Sequence, residues 1–154
     1  MRALTTLLCL CLSLSASARS ASAAVCVVPE GPKHAELTWR GAPVLARPGA
    51  LVVGARTLTP CDGLPGPQPQ ALLVGPAGAL WVGFQQAGLH RFDGARFTAV
   101  SGLPAGGIRA LAAWAGEVWV GTGAAGLYRV VGDAAVPFAH RTLGQRGITA
   151  LAVG

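Results

Sequence analysis

Charge is scarce in this chain of 154 residues: Asp and Glu total six, Lys and Arg twelve. The six acids include no pair whose setting separates an acid role from a base role, as paired-carboxylate chemistry requires. The basic residues are scattered and form no stripe, so the formal charge of +6 does not describe a nucleic-acid footprint. Histidine is nearly absent. His34 has Glu30 and Glu36 nearby, a poor metal set, and His140 has no Cys, Asp or Glu close in sequence. Ser101, Asp133 and His140 name the residue types of a triad, but no sequence context fixes them together. Helical periodicity never runs long, and the one extended apolar run, Ala3 to Leu14, falls short of the ~20 residues that span a bilayer.

What remains is 52% hydrophobic residues with 22 Gly and 11 Pro. That mixture suits short elements and frequent turns, because Gly supplies positive φ and Pro fixes φ. The length allows one modest domain.

Residues 1–23 read as a secretory signal peptide: Arg2, the apolar run, then Ala21-Ser22-Ala23 as an A-x-A cleavage site. Ala16-Ser17-Ala18 offers a second such site. Removing Arg2 and Arg19 with the signal lowers the charge to +4. Cys9 and Cys11 leave with it. Cys26 and Cys61 stay, and an even pair in an oxidising compartment reads as a disulfide closing the N-terminal segment. Two readings compete with it. One is lipid attachment at Cys26, against which Val25 stands where a small residue is required; the other is a pair of free thiols.

The chain then repeats. Gly78 to Arg91 (GALWVGFQQAGLHR) returns 38 residues later as Gly116 to Arg129 (GEVWVGTGAAGLYR). Trp81 answers Trp119, Gly83 answers Gly121, and Gly88-Leu89 answers Gly126-Leu127. Three connectors, Gly63–Leu72, Gly102–Leu111 and Thr142–Leu151, follow each other at 39 and 40 residues. Self-similarity at this period signals stacked supersecondary units.

Within a unit the pattern is β. The first has apolar runs at Ala71–Val74, Ala79–Val82, Leu89–Phe92 and Phe97–Val100, and the second at Ile108–Ala112, Val118–Val120, Leu127–Val131 and Val136–Ala139. Asp93-Gly94 predicts a type I′ hairpin turn. Four antiparallel strands in about 40 residues is the size of a β-propeller blade. The predicted fold is therefore all-β, built of propeller-type blades in an incomplete ring. Residues 63–154 hold two repeats and the start of a third, whose first strand begins at Ala150. Residues 24–62 predict strands at Val25–Val28 and Glu36–Trp39 and a degenerate unit in which GALVVG (Gly49–Gly54) stands for GALWVG, with Val52 at the tryptophan place.

These motifs resemble the two-component regulator propeller repeat, whose pattern runs Asp-x-x-Gly-x-Leu-Trp-[Val/Ile]-Gly-Thr, then Gly-Gly-Leu-x-Arg. Trp119-Val120-Gly121-Thr122 and Gly126-Leu127-Tyr128-Arg129 match it, as do Trp81-Val82-Gly83 and Gly88-Leu89-His90-Arg91 with Phe84 replacing Thr. Gly75 and Ala113 replace the Asp, and Ala87 and Ala125 the first Gly of the pair. The resemblance covers about 60% of the chain. It implies a periplasmic or secreted bacterial propeller, non-catalytic, sensing an extracellular ligand or protein partner along its axis or loop face. It also implies that the remaining blades come from a longer chain or from self-assembly. An exported lyase similar to the streptogramin-cleaving type and a purely structural surface protein are the alternatives.

Two features need separate treatment. Gly121 to Gly126 spells G-x-G-x-x-G, but dinucleotide binding requires a following helix, and LYRVV reads as a strand, so no cofactor is expected. Trp81 and Trp119, each central to a repeated strand, are expected to pack between adjacent units, with Arg91 and Arg129 as recurrent edge or inter-unit hydrogen-bonding groups. His90 aligns with Tyr128 and is expected on a blade surface.

Overall fold

The computed structural model describes residues 34–139 and 147–152. Twelve strands form three separate four-stranded antiparallel sheets, each meandering in chain order. The first holds β1 (Ala35–Trp39), β2 (Ala42–Arg47), β3 (Ala50–Val53) and β4 (Arg56–Leu58). The second holds β5 (Pro69–Val74), β6 (Leu80–Phe84), β7 (Leu89–Phe92) and β8 (Phe97–Ala99). The third holds β9 (Ile108–Trp114), β10 (Glu117–Thr122), β11 (Leu127–Val131) and β12 (Ala134–Pro137). Among the described residues only two short 3-10 turns interrupt the β structure, at Pro60–Asp62 and Pro76–Gly78. No described helix is long and apolar enough to cross a membrane.

Each sheet buries apolar side chains on alternate residues, and the sheets lie face against face. The first core joins Trp39, Val44, Leu51 and Leu58 of the first sheet to Leu80, Val82, Phe84 and Phe92 of the second. The second core joins Trp81 and Leu89 of the second sheet to Ile108, Val118, Val120 and Val130 of the third. Strand β6 therefore serves both: its even positions face backward and its odd positions forward. That accounts for its continuous apolar run LWVGF, buried at every position. A strand covered on both faces has no polar face to present.

Three expectations change. The segment before residue 63 holds a complete four-stranded sheet, and GALVVG lies on its third strand, β3, where the second strand was expected. Local likeness misled because β3 and β6 are both short, buried and flanked by glycine. Register settles the matter: Trp39 pairs with Ala42 and Trp114 with Glu117 across two-residue turns, so Val44 occupies the place of Trp119, and Ala46 that of Gly121.

Asp93-Gly94 does not form a type I′ turn, since only Gly94 has positive φ. The Asp93 carboxylate instead accepts hydrogen bonds from the Ala95 and Arg96 amides at 2.7 and 2.9 Å, a local side-chain cap that widens the loop. Turns with positive φ at both central residues occur at Arg40-Gly41 and Ala115-Gly116. A non-glycine residue there is strained. Ala115→Asn, which restores the preferred Asn-Gly pair, is expected to stabilise the fold by about 0.5–1 kcal/mol, read as a rise in denaturation midpoint.

The third change concerns the strand expected from Ala150. Residues 147–152 form no strand, because no described strand lies alongside to supply a ladder. Residues 1–23, the Val25–Val28 strand, Cys26, His140 and the start of the third connector at Thr142 lie outside the described residues.

Candidate functional site

The repeat-defining residues gather at the sheet-to-sheet faces. Trp81 is 5% exposed, packed between the second and third sheets, with its indole Nε1 buried and unpaired. Beside it, Gly83 leaves room for Ile108: a Cβ on Gly83 would stand 2.5 Å from Ile108 Cγ2. Gly88 and Gly126, with φ of 72° and 84°, close the β6–β7 and β10–β11 hairpins, and each accepts a backbone hydrogen bond from the residue four before it, Phe84 or Thr122. Leu89 is buried against the third sheet, while Leu127 on the last sheet is half-buried.

The same positions on the third sheet point forward onto a face no described sheet covers. Trp119 carries Trp114 at 5.9 Å and Phe138 at 5.0 Å between ring centroids. Trp114 is 58% exposed and Phe138 43%, beside the exposed Val131 and Val136. Among the described residues, Ile148 of the next connector touches this face. Ile148 lies where a Cβ on Gly121 would meet it at 2.7 Å, as Ile108 does over Gly83, and its amide donates to the Thr122 carbonyl at 2.8 Å.

A second tryptophan position, which the sequence reading passed over, follows the same rule. Trp39 and Trp114 both end the first strand of a sheet before a two-residue turn. Trp39 is buried, and its Nε1 donates to Gly78 O at 2.7 Å, a carbonyl in the β5–β6 turn of the following sheet. Trp114 is its exposed counterpart. The shared Trp-x-Gly before a strand was the available signal, hidden by a spacing of nearly two periods.

Charged residues tie the sheets at their outer parts. Arg56 Nη1 donates to Gly94 O at 3.0 Å, joining the first sheet to the second. Arg91 pairs with Asp133 at 3.2 Å, joining the second to the third. Arg129, despite its aligned position, pairs with Glu117 of its own sheet at 3.4 Å. Pairs this exposed contribute about 0–1 kcal/mol. Ser101 bonds the Asp133 carbonyl from both its amide (3.0 Å) and its hydroxyl (3.3 Å), which places both residues in this link between the second and third sheets.

The glycine-rich stretch Gly121–Gly126 is the β10–β11 hairpin, with strand on both sides. Thr122, buried, donates its hydroxyl to Gly126 O at 2.9 Å and accepts from the Ala125 amide at 3.0 Å. Among the described residues, no group of three or more His, Cys, Asp or Glu gathers as a metal site. Cys61 lies in the Pro60–Asp62 turn and takes part in a disulfide.

His90 is half-buried on a face of the second sheet. Its ring sits edge-on to Phe84 at 5.5 Å, and its Nδ1 is buried without a partner. Burial holds its pKa below the ordinary 6.5. The folded state thus resists a proton that the unfolded chain accepts. Stability is therefore full above pH 6.5 and lost as the pH falls through the depressed folded value. Asp62 and Asp93, whose carboxyls hydrogen bonds hold below 3.8, lose their contribution only in more acidic solution. Denaturation midpoints should fall with pH just below 6.5 in the native chain and stay level there in His90→Phe.

No protein-family model, curated protein or solved structure matches this chain.

Proposed function

We propose that this chain belongs to an exported, non-catalytic β-propeller of the two-component regulator type, acting as a sensor module that binds an extracellular ligand or protein partner. The observation that carries the reading is the pairing of covered and open positions: Trp39 and Trp81 are buried under the next sheet, while Trp114 and Trp119 stand on a face ready for another. Repeat motifs spent on packing between sheets act as scaffold and leave loops and the stack axis for recognition. The motif resemblance supplies the sensor role, and this step is an analogy of fold. Further repeat units complete the ring, from a longer chain or by self-assembly.

Export requires removal of residues 1–23 and closure of Cys26 onto Cys61. Expression with the native leader in a Gram-negative host is expected to yield a periplasmic chain beginning at Ala24. A Cys26–Cys61 cross-linked peptide should appear in a non-reducing digest. An intact leader or a lipid on Cys26 contradicts this. Incubation with a streptogramin lactone and magnesium is expected to leave the ring closed; ring opening makes the protein an enzyme and overturns the reading.

A further inference from the structure

A cleft of about 340 Å³ opens between the Pro60–Asp62 turn and the β7–β8 hairpin, lined by Asp62, Gly63, Pro65, His90, Ala95, Arg96, Phe97 and Ala99. It borders the core between the first and second sheets, where Phe97 packs, and lies away from the Trp114–Trp119 face. Its volume is at the lower end for ligand pockets, which start near ~300 Å³. One wall is the turn that holds Cys61. Here Asp62 Oδ2 accepts from both the Thr59 amide (3.0 Å) and the Thr59 hydroxyl (2.7 Å). The carboxylate is thereby fixed in place, with Oδ1 left as an acceptor. The opposite wall is the hairpin. The Asp93 carboxylate holds the Arg96 backbone amide at 2.9 Å, and the guanidinium makes no hydrogen bond or ion pair among the described residues. Between the walls lie apolar surfaces, Phe97, Pro65, Ala95 and Ala99, beside the His90 ring.

Asp62 and Arg96 line one cleft without pairing to each other, Asp62 also feeling Arg56 and Arg96 also acting on Asp93 through space. A ligand that satisfies both carries both signs itself, on a small body with an apolar side. We infer that the cleft binds a free α-amino acid with an apolar side chain, its carboxylate toward Arg96 and its ammonium toward Asp62. Phe97 and Pro65 meet the side chain. Neither a simple anion nor a simple cation uses both walls.

Calorimetry on the mature chain with L-leucine tests this, with leucine amide and 4-methylpentanoate as probes that each lack one charge. L-Leucine is expected to bind, and each analogue to bind about tenfold or more weakly, the usual loss for a charge-assisted hydrogen bond. Arg96→Gln should weaken L-leucine and 4-methylpentanoate by a similar factor while leaving leucine amide, which has no carboxylate for Arg96 to hold, unchanged. Asp62→Asn removes the Thr59 cap as well, so its fold is checked by circular dichroism, and Arg96→Gln carries the test if that variant unfolds. Arg109→Gln, which lies outside the cleft, should change nothing. Absence of L-leucine binding overturns the inference. So does equal binding of all three probes, or binding indifferent to Arg96→Gln. None of these outcomes bears on sheet stacking or export.

Discussion

Trp81→Ala is expected to destabilise the chain by about 3–5 kcal/mol, the range for emptying a buried aromatic site. The ring fills the space between the second and third sheets, against Val118 and Val120. Neither neighbour collapses easily into the gap, since both are held by strand pairing in β10. Trp119→Ala, an identical change at the equivalent place, is expected to cost less, about 1–2 kcal/mol in this chain, because Trp119 is only partly buried and rests on the exposed Trp114 and Phe138. Urea denaturation of the two variants in parallel reads the difference directly. Equal losses would mean that Trp119 is as buried as Trp81 and that the forward face of the third sheet is already covered.

Gly83→Val should be the second large effect, about 3 kcal/mol, at the upper end of overpacking costs. The obstacle is rigid. A Cβ at residue 83 approaches Ile108 Cβ at 2.8 Å as well as Cγ2, and Cβ is fixed to the backbone, so no rotamer change relieves the clash. The second and third sheets must part. Ile108→Ala removes the Cγ atoms that crowd residue 83, so Gly83→Val and Ile108→Ala together should cost less than the sum of the singles, a coupling read by a double-mutant cycle. Strict additivity would mean that the two residues do not meet. Gly121→Val meets Ile148 at a similar 2.9 Å from Cβ to Cβ. Ile148, however, stands in a segment with no strand ladder to anchor it, so it can yield, and the cost should be well under that at Gly83.

The second and third sheets were legible in the sequence nearly strand for strand. Alternation, Gly-rich turns and the 38-residue recurrence all point the same way at Trp81 and Trp119. The first sheet was obscured because its strand β2, APVLAR, carries Val44 where the others carry tryptophan, while β3 mimics the motif in the wrong place. Strand identity in a meander is set by register, which a local match does not contain. The Asp93 turn went astray for a related reason: Asp-Gly also builds side-chain-capped loops, and the choice depends on what the flanking strands demand. The cleft was beyond reach. Asp62 and Arg96 are separated by most of a repeat, and only the pairing of β6, β7 and β8 brings the hairpin over the Pro60–Asp62 turn.

The central claim of the proposed reading is that the two-sided packing seen at the second sheet is the rule of the stack, so that the Trp114–Trp119 face would receive a further unit. A chain in which a copy of residues 108–139 follows Gly147 places another sheet in register, since Gly107 precedes Ile108 just as Gly147 precedes Ile148. Accessibility of Trp119 to an aqueous fluorescence quencher, with the other tryptophans replaced by phenylalanine, is the measurement. The account predicts that Trp119 becomes shielded in the extended chain and that its thermal midpoint rises, as adding a nearest-neighbour interface does in a stacked repeat. Trp119 equally open to quencher in both chains, with an unchanged midpoint, would contradict it.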